Sequence, residues 1–304
     1  MKHFGNHISI FTATLLGVCI FLAVPSLAQD NAAKEKFNAG IEAEGKGDQA
    51  GAITNYKAAI AADAAFADPY LNLGVIYFGQ EDYKNAIDNF KKYTELEPSS
   101  YDGFKNLGYA CVEAGDLVTG AAAFDAGLKI KDRDTELLKG YANLYYKADK
   151  WEKAIEKFNA YLPESHTDTR ALTSLAKCYQ EVGKKTEAIT TYYKATKADP
   201  NYAMAHFQLG SLYLADKEYN KAADEFAKSS KLDKTHWQSF YNLGIAKQAM
   251  ETQEDYVEAY QAYSQFLKLT SSYKSGSVTK MRQQAQQITA QLKEYFEAEA
   301  IDYQ

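Results

Sequence analysis

Proline and glycine are scarce in this chain, with only 5 prolines and 18 glycines among 304 residues. Both residues interrupt helices, so their scarcity favours helix over nearly the whole length. A hydrophobic content of 46% and a charged content of 24% are ordinary for a folded protein and exclude wholesale disorder. The composition therefore predicts an all-α protein.

Basic stripes and catalytic motifs are also missing. The net charge is −6, whereas a surface that binds nucleic acid needs a cluster of basic residues, so nucleic acid is excluded as the main ligand. His166, His206 and His236 are isolated in the sequence, which contains no metal-binding His or Cys pair, phosphate-binding glycine loop or nucleophile motif. We therefore expect no enzymatic activity, no metal and no cofactor.

Residues 1–28 have the pattern of a secretory signal peptide. Lys2 precedes an apolar stretch at 8–24, and the small residues Ser26 and Ala28 fit a signal peptidase, which predicts cleavage after Ala28. The alternative is an uncleaved anchor, but the 17 residues of the stretch are at the lower limit for crossing about 30 Å of hydrocarbon. The expectation is a periplasmic or secreted protein with no stable membrane insertion after cleavage.

One triplet recurs in the rest of the chain at a single spacing. Asn72-Leu73-Gly74, Asn106-Leu107-Gly108 and Asn242-Leu243-Gly244 place their glycines at multiples of 34 residues. The same period places small residues at four further positions: Gly40, Ala142, Ala176 and Gly210. Small residues at one strict period indicate pairs of helices that cross there at close range.

Two further columns follow these small residues. A second small residue lies 12 positions later, at Ala52, Ala86, Gly120, Ala154, Ala188 and Ala222. An aromatic residue lies four positions later still, at Tyr56, Phe90, Phe124, Phe158, Tyr192 and Phe226. A seventh unit matches through Ala259 and Tyr263 if three residues are inserted around 252–254, which we place in the turn. Each unit is predicted to be helix, turn and helix, with the aromatic ring filling its interior.

The unit length and these columns closely resemble the tetratricopeptide repeat over residues 33–270. The resemblance implies a right-handed superhelical solenoid in which the first helices of the repeats line a concave groove. It predicts seven repeats, at about 33–66, 67–100, 101–134, 135–168, 169–202, 203–236 and 237–270.

Residues 278–300 are predicted to form a final helix. Its apolar residues are spaced by three and four, at Val278, Met281, Ala285, Ile288, Leu292 and Tyr295. This stripe either caps the open end of the solenoid or pairs with a second copy of the chain as a short coiled coil.

Cys111 and Cys178 are the cysteines that remain after signal cleavage. In the repeat register they fall on first helices two repeats apart, so at least two helix packings of about 8–10 Å separate them. A disulfide needs Cα atoms within about 7 Å. We therefore expect two free, buried thiols.

The resemblance also suggests which residues line the groove. Two positions before the first small column, five of the seven repeats carry an amide, which offers both a donor and an acceptor to a peptide backbone. This ladder consists of Asn38, Asn72, Asn106, Gln208 and Asn242, and Gly140 and Ser174 interrupt it. Because Gly140 stands where an asparagine is required, the family's arrangement for clamping a terminal carboxylate is incomplete.

The middle repeats add positive and polar groups to the same face. These are Lys105, Tyr109, Lys139, Asn143, Tyr146 and Lys177, together with Lys147 and Arg170. We expect this stretch to bind an acidic segment of a partner. The alternative is that its cations are paired with Glu113, Glu136 and Glu181 of the same wall.

These features favour a non-enzymatic scaffold that binds a protein or peptide partner in the groove, in an assembly, secretion or division machine of the cell envelope. A carbohydrate-binding accessory protein is the alternative. Trp151 and Trp237 are its candidate sugar-stacking residues, although tryptophans at such positions are more often packing residues.

Overall fold

The computed structural model describes residues 27–273 and 276–303. Within these ranges the chain forms fifteen helices and no strand, which confirms the all-α prediction. The helices are α1 Leu27–Gly45, α2 Gln49–Ala62, α3 Asp68–Gly79, α4 Tyr83–Leu96, α5 Tyr101–Ala114, α6 Leu117–Ile130, α7 Thr135–Lys147, α8 Trp151–Tyr161, α9 Thr169–Glu181, α10 Lys185–Ala198, α11 Ala203–Ala215, α12 Tyr219–Leu232, α13 Trp237–Gln248, α14 Gln253–Leu269 and α15 Gly276–Ala298.

The predicted signal peptide falls almost wholly outside the described ranges, which begin at residue 27. Among the helices that are described, none combines the length and the apolar character needed to cross a membrane.

The chain divides into two compact units, which meet between Asn72 and Leu73. In the first unit, α1 packs against α2. In the second unit, each helix from α4 onward packs against the next one along the chain. Contacts between α5 and α7, α7 and α9, and α11 and α13 add a layer of odd-numbered helices. This is the stacking of helical hairpins that a solenoid requires.

Aspartates start several of the second helices. Asp48, Asp82 and Asp116 each accept a hydrogen bond from the backbone N–H three residues later, at distances of 2.8 to 3.2 Å. A side-chain oxygen at this position satisfies one of the free N–H groups of the first turn. The residues before them, Gly47 and Glu81 among them, have positive φ angles of 75° and 60°, which turn the chain sharply between the two helices.

The aromatic column fills the interior of the hairpins, as predicted. The seven rings, from Tyr56 to Tyr263, are 0 or 1% exposed. Each glycine of the first small column faces the ring of its own hairpin: a Cβ on Gly108 would lie 2.6 Å from Phe124, and one on Gly74 would lie 2.5 Å from Phe90. The 34-residue period of small residues therefore reflects an aromatic ring pressed against a helix backbone.

The three-residue insertion lies in α14 and not in the turn, which corrects the sequence interpretation. The first residue of the second helix lies nine residues after Gly74, Gly108 and Gly244 alike, at Tyr83, Leu117 and Gln253. In contrast, α14 has 17 residues where α4 and α6 have 14.

Three residues are nearly one helical turn, so the inserted turn keeps the buried face in register. Thr252 caps this extra turn, because its Oγ1 accepts from the N–H of Asp255 and donates to the carboxylate of the same residue.

The C-terminal helix packs against the last hairpin. Ala285 and Leu292 of α15 form a buried cluster with Ala259 and Phe266 of α14. Phe296 is fully buried in this cluster, whereas its neighbour Tyr295 is 38% exposed, so Phe296 replaces Tyr295 at the end of the predicted apolar stripe.

The two cysteines are buried free thiols, as expected. Burial, opposed in part by weaker effects, raises the pKa of each thiol to about 12. At neutral pH both are therefore protonated core residues without nucleophilic character.

Candidate functional site

Two cavities open on the face of the odd-numbered helices in the second unit, and both are lined by residues that the sequence placed in the groove. We call them the Lys105 cavity and the Tyr192 cavity. The Lys105 cavity has a volume of about 400 Å³ and is lined by Val75, Phe78, Phe90, Lys105, Asn106, Tyr109 and Glu136. The Tyr192 cavity has a volume of about 390 Å³ and is lined by Tyr146, Arg170, Thr173, Ser174, Lys177, Tyr192, Tyr202, Met204 and Gln208.

The Lys105 cavity is apolar at one end and polar at the other. Val75 is 50% exposed at the apolar end. At the polar end, the Tyr109 hydroxyl donates to the backbone carbonyl of Glu136 at 2.9 Å. The Lys105 ammonium lies 3.4 Å from Asp102 and 3.5 Å from Glu136. Its charge is thus compensated within the protein, and the apolar end is the more open to a ligand.

The amides differ in what they contact. Asn106, Asn143 and Asn242 are half-buried and have no hydrogen-bond partner among the described residues. The Gln208 amide has only a weak contact, 3.7 Å, with the sulfur of Met204. These groups are free to bind a peptide backbone.

Asn72 has a different role. In the first unit, the Asn72 amide donates to the Tyr56 hydroxyl at 3.1 Å, and the same hydroxyl donates to Glu44. Asn72 is therefore occupied in holding a buried tyrosine. Asn38 is exposed on α1.

The interruption of the ladder at Gly140 has a steric cause. A Cβ at this position would lie 2.8 Å from the Phe124 ring and 3.2 Å from the Tyr109 ring. Because these two rings occupy the space, no side chain fits there without displacing them.

The lysines predicted to attract an acidic ligand are paired with carboxylates. Lys147 lies 2.9 Å from Glu113, and Lys177 pairs with Glu181. Lys139 lies 2.7 Å from Asp168. The alternative that the sequence left open, pairing with glutamates of the same wall, therefore describes Lys147 and Lys177, whereas the partner of Lys139 is Asp168. Arg170 is exposed and has no ion pair within the described residues.

Lys139 is part of a structural cluster at the start of α9. Asp168 accepts hydrogen bonds from the N–H of Ala171 at 3.0 Å and from the Tyr161 hydroxyl at 2.8 Å, in addition to its ion pair with Lys139. Burial raises the pKa of Asp168, but these hydrogen bonds and the lysine charge outweigh burial and lower the pKa overall. The carboxylate therefore stabilises the folded state at neutral pH.

Asp168→Asn is expected to reduce the free energy of unfolding by about 1–2 kcal/mol at pH 7, because asparagine keeps the helix cap but removes the charge. A lowered folded-state pKa means that the contribution is complete above the unfolded pKa of about 3.9 and is lost as the pH falls through the folded pKa. Urea unfolding at pH 7 and pH 3 checks this: the difference between variant and wild type should shrink at pH 3, and a constant difference would contradict it.

Two of the histidines, His206 and His236, contact polar groups of the fold. His206 is buried, with Nδ1 2.5 Å from Glu225 and Nε2 3.1 Å from the carbonyl oxygen of Pro200. His236 Nδ1 lies 2.7 Å from the Oγ of Ser239, a fully buried residue three positions later in the chain. No group of three metal-ligating side chains occurs in the described part of the chain.

The two tryptophans proposed for sugar stacking are half-buried packing residues. Trp151 makes an edge contact with Tyr146, with ring centroids 5.7 Å apart. Trp237 packs on Phe266 at 5.6 Å. Both tryptophans therefore have packing contacts with a neighbouring aromatic ring.

Sequence reasoning missed four residues of the Tyr192 cavity: Thr173, Tyr192, Tyr202 and Met204. Tyr192 comes from the second helix of its hairpin, and its column marked it as core. A signal was present, since only some members of that column are tyrosine and carry a hydroxyl that needs a partner.

Comparison with known proteins gives one family. Tetratricopeptide-repeat profiles match residues 46–81 and 177–217, residues 67–100, and residues 203–236. No curated protein sequence matches the chain.

Similar solved structures share the helical-repeat fold at low identity. The structure of YrrB, described as a TPR protein with an unusual peptide-binding site, aligns with 65% of this chain and 97% of its own, at 18% identity and a TM-score of 0.54. PilF of Pseudomonas aeruginosa aligns with 74% of this chain and 97% of its own, at 18% identity and a TM-score of 0.55. A tetratricopeptide repeat protein of Parabacteroides merdae aligns with 84% of this chain and 99% of its own, at 16% identity and a TM-score of 0.54.

Proposed function

Because the chain is a tetratricopeptide repeat protein, we propose that it is a non-enzymatic scaffold that binds an extended segment of a partner protein along its odd-numbered helices. The observation that carries the proposal is the set of half-buried amides without partners, Asn106, Asn143 and Asn242. An amide without a protein partner can donate to the C=O groups and accept from the N–H groups of a peptide backbone.

The flanking cavities support a peptide over a small molecule. Each has a volume of roughly 400 Å³ and is open along the face. Their linings differ, since Val75 and Phe78 make the Lys105 cavity partly apolar, whereas hydroxyl, amide and cationic groups dominate the Tyr192 cavity. An extended chain that crosses both would be read by its backbone at the amides and by its side chains in the cavities. YrrB, one of the similar structures, is itself described as having a peptide-binding site.

We further propose that the protein acts in the cell envelope, after export and removal of residues 1–28, and that it is built from seven repeats capped by α15. The N-terminal sequence pattern supports the location. The burial of Ala285, Leu292 and Phe296 against α14 supports capping over a coiled coil with a second copy, because the apolar stripe is already occupied.

A peptide selection tests the binding role. The chain from residue 29 is immobilised and exposed to a displayed library of random dodecapeptides, and peptides that bind saturably are expected. The variant Asn106→Ala with Asn242→Ala should then bind a selected peptide about tenfold or more weakly, since each lost backbone hydrogen bond costs about 0.5–1.5 kcal/mol.

The matched control is Asn89→Ala with Asn220→Ala, which removes two amides from the even-numbered helices α4 and α12, half-buried at Asn89 and exposed at Asn220. The control should bind as wild type does. Equal affinity of both double variants would remove the amides from the binding role, and a library without any enriched peptide would contradict the proposal itself. Asn72 is left unchanged, because its loss would remove one of the two hydrogen bonds of the Tyr56 hydroxyl.

A further inference from the structure

The Tyr192 hydroxyl is a buried polar group without a partner. Tyr192 is 0% exposed, and its hydroxyl makes no hydrogen bond with any described residue. The other two tyrosines of the aromatic column are satisfied: Tyr56 donates to Glu44, and Tyr263 donates to the Gln248 side chain at 3.1 Å. The remaining four positions of the column are phenylalanines, which fit the same space without this cost. The hydroxyl of Tyr192 therefore does nothing for the fold that phenylalanine would not do.

Tyr192 lines the Tyr192 cavity together with Gln208, the residue in the position to form a hydrogen bond with its hydroxyl. In the first unit, Tyr56 receives a hydrogen bond from Asn72, 16 residues later. The residue 16 positions after Tyr192 is Gln208, whose amide instead contacts the Met204 sulfur at 3.7 Å. Both Tyr192 and Gln208 line the cavity, so two polar side chains that could have paired are left to a ligand.

The lining of the cavity also selects the charge of the ligand. Arg170, Ser174 and Lys177 lie on one face of α9, and the seven helical steps between Arg170 and Lys177 correspond to about 10 Å. The lining contains these two cations and no carboxylate, in a chain whose net charge is −6. Lys177 shares its charge with Glu181, but Arg170 has no ion pair within the described residues. Arginine can bind a carboxylate with two parallel hydrogen bonds.

We propose that the Tyr192 cavity is the anchoring site for an acidic side chain of the bound peptide. The carboxylate of that side chain pairs with Arg170 and accepts a hydrogen bond from the Tyr192 hydroxyl. Tyr146, Tyr202 and Met204 form the remaining walls and enclose the aliphatic part of the side chain. This assignment rests on the proposed function. It places the binding of an acidic residue in one cavity, whereas the sequence predicted that several lysines of the middle repeats bind it.

Protonation of the hydroxyl is consistent with this role. Burial raises the pKa of Tyr192 well above its usual value, so the group is a donor at neutral pH. A neutral donor beside a cation recognises a carboxylate without adding a charge that would have to be desolvated.

The selected peptides of the library provide the test. The dodecapeptides are fused to the display carrier at their C-terminus, so that only side chains supply carboxylates. Wild type is expected to enrich Asp or Glu at one position relative to the other residues of the selected peptides. Arg170→Gln and Tyr192→Phe should each lose this enrichment while they still select peptides.

Two matched controls remove the same chemical groups elsewhere. Arg133→Gln changes an exposed arginine at another site, and Tyr263→Phe changes the column tyrosine whose hydroxyl is bonded to Gln248. Both should retain the acidic position. A synthetic selected peptide, titrated by calorimetry against its Glu→Gln form, should lose about tenfold in affinity on wild type and less than about twofold on Arg170→Gln.

The outcomes separate the inference from the proposed function. Acidic enrichment that persists in both Arg170→Gln and Tyr192→Phe overturns the assignment of the cavity. Selected peptides without an acidic position also overturn the assignment but leave the scaffold function intact. The absence of any selected peptide overturns both. Arg170 is exposed and Tyr192→Phe matches the other rings of its column, so both variants should retain the wild-type melting temperature.

Discussion

Phe124→Ala is expected to reduce the free energy of unfolding by about 3–5 kcal/mol, the usual cost of removing a buried ring. The ring is fully buried and stacks on Tyr141 with centroids 5.4 Å apart. It also makes an edge contact with Tyr109 at 5.9 Å and faces the backbones of Gly108 and Gly140. The cavity left by alanine cannot collapse easily, because helix backbone forms two of its walls.

Urea unfolding followed by circular dichroism measures this loss. Val118→Ala on the same helix is the control, since Val118 is 81% exposed and its truncation should change the free energy of unfolding by less than about 0.5 kcal/mol. Phe124→Ala should also weaken peptide binding in the Lys105 cavity, because Tyr109 lines that cavity and rests on Phe124. A loss below 1 kcal/mol would show that the hairpins are not held together by the aromatic column.

Gly140→Asn is expected to destabilise the protein by about 1–3 kcal/mol, although it restores the amide that the repeat pattern has at this position. The new Cβ would lie 2.8 Å from Phe124, which is fully buried, and 3.2 Å from Tyr109, which is half-buried. Replacing glycine within a helix usually stabilises by about 0.5–1 kcal/mol, so the sign of the measured change shows directly which effect prevails.

The control for this prediction is Gly79→Asn. A Cβ at Gly79 meets no atom within 4 Å, and this glycine ends α3, so the change should be within about 0.5 kcal/mol of neutral. Thermal unfolding of the two variants beside wild type makes the comparison. If Gly140→Asn were as stable as wild type, the interruption of the amide ladder would have no steric cause.

The fold was largely predictable because the same contact between two helices recurs in each repeat, so its residue pattern recurs in the sequence. A single glycine such as Gly108 carries little information, but a small residue every 34 positions and an aromatic residue 16 positions after it can satisfy only one arrangement of two helices. The insertion near Thr252 was misplaced for a related reason. Sequence spacing shows that three residues are extra, but only the backbone shows that they extend α14 by one turn.

The candidate site was less predictable, since a position in the repeat does not reveal what a side chain contacts. Asn72 and Asn106 occupy the same position, yet Asn72 is bonded to Tyr56 and Asn106 is free. Lys139 and Arg170 both add positive charge, yet Lys139 is bonded to Asp168 and Arg170 is not. The hydrogen-bond and ion-pair partners of these side chains come from other segments of the chain, and the repeat pattern does not predict them.

The amino-acid sequence by itself determined the all-α architecture, the helical hairpins and the rings that fill them, because these depend on local helix propensity and on columns that recur within each hairpin. Only the tertiary structure decided which polar groups remain available to a ligand. Hydrogen bonds and ion pairs form between residues whose side chains approach to about 3 Å, and that distance is set by packing between helices. Tyr192 shows the difference: its sequence column identifies a core ring, and its surroundings leave the hydroxyl of that ring unpaired. The same residue lines a cavity with two cations and no carboxylate.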